Sequence, residues 1–452
     1  MENKLSRERF TSRLGFIFMS AGCAIGCGNI WKFPWMVGQN GGGIFVLIYA
    51  FFLVVLGLPC LVMEFSLGRA SQASPIKMYN KLEKPGQKWH IHGIVCLIGN
   101  LALMAFYTVV TSWFVFYFYE FLVGKMGFGK TPVGFVNMIT NPSVNVGFLA
   151  LNLIVCFFLL TFDLKSGLER VSKIMMSLLF VLMFVLVIKS GMFEGAKEGY
   201  KFYLMPDISK ITLSTIVNAM NQAFFTLSIG IGAMAIFGSY IGKEQSLMKE
   251  SITVILLDSL VAVMAGLIIF PACASFNIEV GAGPSLLFDT MATVFCNMNG
   301  GRLWGSLFFL FMIFAGFSTE IAVCENILAC LREMTGITRK KGSIICGIVV
   351  FLLSLTTALG FSVIKFHPFG EGSSFMDFWD FIVSMNLLPL GALIIALFCC
   401  SDRFGWGWNN FMQEVNSGKG MKVHNWMKPI FKFIVPILIL IVYILGMIFF
   451  FK

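Results

Sequence analysis

The stretch Ala21-Gly22-Cys23-Ala24-Ile25-Gly26-Cys27-Gly28-Asn29, with Pro34 soon after, lies inside an apolar run long enough to cross a membrane. Each of its glycines weakens a helix by roughly 1 kcal/mol relative to alanine. Small residues alone would only let neighbouring helices approach closely. Here a polar Asn29 follows, and a similar run recurs at Gln222-Ala223-Phe224-Phe225-Thr226-Leu227-Ser228-Ile229-Gly230-Ile231-Gly232. Interrupted backbone at membrane depth is tolerated only where it lines a cavity or binds something.

The surrounding composition fits a membrane. The 452 residues are 58% hydrophobic and 12% charged, against ~25% charged and ~45–50% apolar in soluble domains. Mean hydropathy is +0.85. These values exclude a soluble globular protein and a disordered one. Continuous apolar stretches argue against an outer-membrane barrel, whose strands alternate. An all-α polytopic membrane protein remains, with eleven spans expected at 13–37, 44–68, 90–124, 145–162, 168–189, 213–240, 251–275, 303–331, 343–363, 377–400 and 425–450. The first span is no signal peptide, because the run continues past Pro34.

The net charge of +10 reads as the positive-inside bias and not as a nucleic-acid surface. Most Lys and Arg fall in alternate loops, including Arg69, Lys77 to Lys88, and Arg339 to Lys341. That sets the N-terminus in the cytoplasm and, with eleven spans, the C-terminus outside. The 12 cysteines lie mostly in apolar segments without CxxC, so they read as small buried hydrophobes, with neither disulfides nor zinc implied.

The two interrupted spans lie five apart. Five is odd, so the second copy crosses in the opposite direction. Paired breaks in corresponding halves point to an inverted-repeat transporter with its site at the midplane. The expected halves are residues 1–190 and 213–400, with an additional helix at 425–450. Freed N–H groups attract a carboxylate, and freed carbonyls suit a hard cation such as Na⁺.

With these residues in view, the chain resembles the neurotransmitter:sodium symporter family. Gly22 to Pro34, Asn40-Gly41-Gly42-Gly43, Pro59 to Gly68, Gln222 to Gly232 and Gly281-Ala282-Gly283-Pro284 carry the resemblance. It implies the LeuT fold, a 5+5 inverted repeat with discontinuous helices 1 and 6 plus helix 11. Eleven spans, one fewer than most members have, resemble bacterial members, a tyrosine transporter among them. The implied setting is the bacterial inner membrane.

The resemblance implies one sodium site at the Ala24 carbonyl, Asn29, Thr226 and Asp258, together with the substrate carboxylate. It implies a second at the carbonyls of Gly22, Ile25 and Ala315 and the hydroxyls of Ser318 and Thr319. One or two Na⁺ would bind, through the oxygen ligands a hard cation needs. The substrate carboxylate would meet Ala24, Gly26, Gly28 and the Tyr107 hydroxyl. The amine would meet Phe225, Thr226 and Ser228. Amine-carrying members have Asp where this chain has Gly26, so the cargo implied is an amino acid. Leu103, Tyr107, Phe225, Ser228, Ile231, Thr319 and Val323 would form the side-chain pocket. It is mostly apolar, and suits neutral hydrophobic cargo, tyrosine first and other aromatic or aliphatic amino acids behind it.

The family's gates map onto Lys32 with Asp377 outside, and onto Arg7 with Glu333, Ser239 and Tyr240 inside. Lys32 stands where most members have Arg, which keeps the charge but loses the fork. Asp258 stands where most relatives have Asn. It is read as a fixed negative charge that replaces chloride, so no chloride requirement is expected; a satisfied core Asp is the alternative. Glu64 is read as a structural carboxylate serving the broken helix, with a proton or ion role as the alternative. Glu320 fits either pocket tuning or pairing elsewhere, and Glu325 a coupling to the inner side. Ser177, ten residues after Gly167, replaces the proline of many members. A channel would need a longer polar stripe, and no HExxH, GxSxG or P-loop supports an enzyme. A transport-incompetent amino-acid sensor shares every ligand. The partners expected are an amino acid and the bilayer, as monomer or dimer.

Overall fold

The computed structural model describes residues 10–277 and 284–451. Nine helices among them are long and apolar enough to cross a membrane, or ten when the bent pair Arg13–Ala24 and Gly28–Gln39 counts as one span. The others are Gly43–Ser71, His90–Leu122, Pro142–Leu160, Glu169–Gly191, Leu247–Ser275, Gly301–Thr335, Arg339–Gly360, Phe375–Cys400 and Asn425–Phe450. The sixth span is divided into Leu213–Thr226 and Ala233–Gly238, each too short to cross alone. Counting this divided span as one more, the described residues hold the eleven spans expected. A further helical segment, Leu286–Asn297, was not expected from the sequence; it lies between spans seven and eight.

Local chemistry sets the helix starts. Asn141 caps span four, its side chain accepting from the Val144 N–H at 3.2 Å, with Pro142 in the first turn. Thr212 and Thr215 form a capping box at the start of span six. Ser374 and Asp377 form another at span ten.

Among the nine long helices, span eight has the largest buried share of its apolar window, 78%, and span eleven the smallest, 22%. Spans three and eight pack along each other, and spans four and nine close around them. Spans one and six pack against span eight, span two packs against span six, and span ten meets the break in span six. There Gly230 sits at φ +103, and a Cβ on it would lie 2.2 Å from the Leu388 carbonyl oxygen. Only glycine allows both that dihedral and that approach.

Candidate functional site

Span one stops being helical after Ala24. Ile25 is extended, and the two halves diverge by 53°. Asn29 folds back so that its Oδ1 accepts the Gly26 N–H at 3.1 Å. The Cys27 N–H donates to the Tyr107 hydroxyl of span three at 3.1 Å, and Gln222 Nε2 donates to the Gly28 carbonyl at 2.8 Å. Each freed peptide group named here is met by a polar side chain, as a buried break requires.

In span six, Ser228, Gly230 and Gly232 all take positive φ (50°, 103° and 70°). Glu64 of span two answers the N–H groups this releases. Its carboxylate accepts from Gly230 N at 3.0 Å, Met234 N at 3.0 Å and Ala235 N at 3.3 Å. Ser228 Oγ reaches across to the Cys23 carbonyl at 3.4 Å, joining the two breaks.

Two oxygen-rich clusters lie beside the breaks. In the first, Asp258 Oδ1 accepts from Asn29 Nδ2 at 2.7 Å, and the Thr226 hydroxyl lies 3.2 and 3.1 Å from its two oxygens. The Tyr49 hydroxyl approaches Asp258 at 3.5 Å. In the second, Thr319 Oγ1 lies 3.0 Å from the carbonyls of both Gly22 and Ile25. Ser318 Oγ lies 3.4 Å from the Ile25 carbonyl and 2.8 Å from that of Ala315. Each hydroxyl has one proton for two carbonyls. Such a surplus of oxygen lone pairs fits a hard cation.

Between the breaks is a cavity lined by Ala24, Gly26, Cys27, Gly28, Leu103, Tyr107, Phe225, Ser228, Thr319 and Leu388. A wider outer vestibule is lined by Trp31, Lys32, Trp35, Phe106, Asp377 and Asp380 among others. Cys27, Tyr107 and Phe225 border both spaces and so form the partition.

The structure departs from the sequence reading at several points. Lys32 Nζ pairs with Asp380 Oδ1 at 3.6 Å, not with Asp377. Asp377 is occupied as a helix cap, accepting from the Ser374 N–H and hydroxyl, both at 2.8 Å. Lys32 also lies 3.9 Å from the Phe225 ring centroid, a cation–π contact. Thr226, Ile231 and Val323 are buried but do not line the cavity, whereas Leu388 and Cys27 do. At the inner side, Arg7 lies outside the described residues. Glu333 accepts from the Ser74 N–H at 2.9 Å and its hydroxyl at 2.7 Å. The Ser239 hydroxyl donates to the Ile236 carbonyl at 2.6 Å. Tyr240 donates to Glu325 at 3.2 Å, and Arg339 makes an ion pair with Glu325. Glu320 accepts from Asn152 of span four. Gly281, Ala282 and Gly283 lie outside the described residues.

Sequence reasoning missed Asp380, Leu388, Cys27, Tyr49 and Asn152. Asp380 was findable as the carboxylate one turn after Asp377. Leu388 carried no signal, being one apolar residue in an apolar span.

Two broken spans facing each other at oxygen-lined pockets in a helical membrane protein define a secondary transporter. The chain belongs to the sodium:neurotransmitter symporter family, whose model matches residues 7–144 and 136–452. It is 35% identical over 448 residues to the uncharacterized sodium-dependent transporter YhdH of Bacillus subtilis, covering 96% of this chain and 97% of the relative. The human sodium- and chloride-dependent creatine transporter 1 is 22% identical, with 98% and 77% covered. The crystal structure of MhsT in complex with L-phenylalanine superposes with a TM-score of 0.87 at 33% identity, covering 97% of this chain and 99% of that one. The fold is the LeuT fold, and the protein is a sodium-dependent symporter, not an enzyme.

Proposed function

We propose that the chain imports neutral hydrophobic amino acids, aromatic ones first, together with one or two Na⁺ and without a chloride requirement. The observation that carries this reading is Gly26. A Cβ there would lie 2.2 Å from the Tyr107 hydroxyl and 2.5 Å from Thr319 Oγ1. Position 26 therefore holds no side chain, and the cargo must bring its own carboxylate to the break. That carboxylate completes the cluster of Asn29, Thr226 and Asp258, so cargo and ion stabilise each other. Asp258 supplies the fixed negative charge. Ser318, Thr319 and the carbonyls of Gly22, Ile25 and Ala315 hold the second ion.

Leu103, Tyr107, Phe225 and Leu388 form the apolar wall, which suits a ring better than a charged side chain. The phenylalanine complex of MhsT, at 33% identity, supports the same class of cargo. Lys32 and Asp380 close the outer side, with Phe225 below them. The chain sits in a bacterial inner membrane with its N-terminus inside. The halves 1–190 and 213–400 act as the inverted repeats that exchange access.

Competition against bound labelled phenylalanine tests the cargo. Tyrosine, tryptophan and leucine are expected to displace it in Na⁺, while glutamate, lysine and tyramine do not. Displacement by tyramine as strong as by tyrosine overturns the reading, because tyramine has no carboxylate.

A further inference from the structure

Glu320 directly follows Thr319 on span eight, and its carboxylate is wholly buried. A buried carboxylate is costly unless hydrogen-bonded. Asn152 of span four supplies bonds, its Nδ2 lying 3.0 and 2.8 Å from the two Glu320 oxygens. The same Nδ2 also reaches the Thr108 carbonyl of span three at 3.3 Å. An amide nitrogen has two protons, one for each partner. Thr108 is held further by Ser354 of span nine, with 2.8 Å between the hydroxyl oxygens.

The neighbours of these two partners matter. Thr319 belongs to the second oxygen cluster. Tyr107, next to Thr108, accepts from the break in span one and lines the cavity. A single amide thus ties the residue behind Thr319 to the residue behind Tyr107. Asn152 lines neither the cavity nor the vestibule.

We propose that Asn152 is a positioning residue that couples sodium binding to cargo binding, by fixing the turn of Thr319 through Glu320 and the turn of Tyr107 through Thr108. This rests on the reading of Thr319 as a sodium ligand and Tyr107 as a cargo contact. Loss of Asn152 removes the bonds that join these two groups, so the two turns would then respond to their ligands separately.

The test is L-phenylalanine binding to the purified full chain at limiting and saturating Na⁺. The wild-type ratio of the two affinities measures the coupling. In Asn152→Leu and Glu320→Leu that ratio is expected to fall by about 10-fold, within the usual range of coupling between sites. Glu320→Gln keeps an acceptor for Asn152 and is expected to stay within about twofold of wild type. The double variant Asn152→Leu/Glu320→Leu is expected to be no worse than either alone, as for partners in one network. An unchanged ratio in Asn152→Leu overturns the proposal. So does an equal loss of affinity at both Na⁺ levels, which is what a merely structural role gives. Should Asn152→Leu not fold, Glu320→Leu against Glu320→Gln decides the same question. A wild-type protein whose phenylalanine binding ignores Na⁺ overturns the functional reading itself, and shows this before any variant is made.

Discussion

Lys32 and Asp380 pair in the outer vestibule, 3.6 Å apart, with the Lys32 ammonium over the Phe225 ring. The Asp380 side chain is 40% exposed, so the pair is partly screened and worth no more than about 1 kcal/mol. Asp380→Asn is expected to raise the cargo concentration for half-saturation by about two- to fivefold, within that limit. Asp377→Ala is expected to leave that constant unchanged and to lower thermal stability instead. Loss of a helix cap costs about 1 kcal/mol. Parallel binding curves and melting curves for the two variants separate these roles.

Gly26→Ala adds a methyl group where a Cβ meets Tyr107 at 2.2 Å and Thr319 at 2.5 Å. Both groups belong to the cavity, so relief of the overlap displaces the groups that would hold cargo and ion. Overpacking of this kind costs about 1–3 kcal/mol, or up to about 100-fold in cargo affinity. Binding to a folded Gly26→Ala protein within about twofold of wild type would contradict the account of this position.

Asp258 takes hydrogen bonds from Asn29 and Thr226 within the first oxygen cluster. Wild-type uptake is expected to be the same in chloride and in gluconate. Asp258→Asn removes the buried charge, and its half-saturating Na⁺ concentration is expected to rise about 10-fold or more, as for a lost charge–charge contact in a low-dielectric site. Any remaining activity should then depend on chloride. Ion-replacement uptake assays with both proteins decide this.

Glu64 accepts three backbone N–H groups from the break in span six. Glu64→Gln turns an amide towards some of those donors. It is expected to lose about 1–3 kcal/mol of stability, the cost of leaving a buried group unsatisfied. Thermal melting in detergent, with and without Na⁺ and phenylalanine, measures it. Melting at the wild-type temperature would show that the break does not depend on this carboxylate.

The breaks were legible because glycine and polar residues contradict an apolar helix in one place each, at Gly22–Asn29 and Gln222–Gly232. The positions of Glu64, Ser318 and Thr319 came instead from the resemblance to the symporter family, whose motifs they match. The outer pair was not legible. Asp377 and Asp380 lie one turn apart, and only helix geometry reveals that Ser374 claims Asp377 as a cap. Leu388 was hidden because contact with the cavity depends on how closely span ten approaches Gly230. Asn152 was hidden because its meaning lies in Glu320 and Thr108, residues on two other spans.

The most direct test of the central claim is accumulation. Proteoliposomes containing the chain would be given labelled phenylalanine with inward gradients of Na⁺, Li⁺ or K⁺. Concentrative uptake is expected under the Na⁺ gradient, collapsing with a sodium ionophore, absent in K⁺ and unchanged when gluconate replaces chloride. Saturable Na⁺-dependent binding without accumulation, or equal uptake in Na⁺ and K⁺, would contradict it.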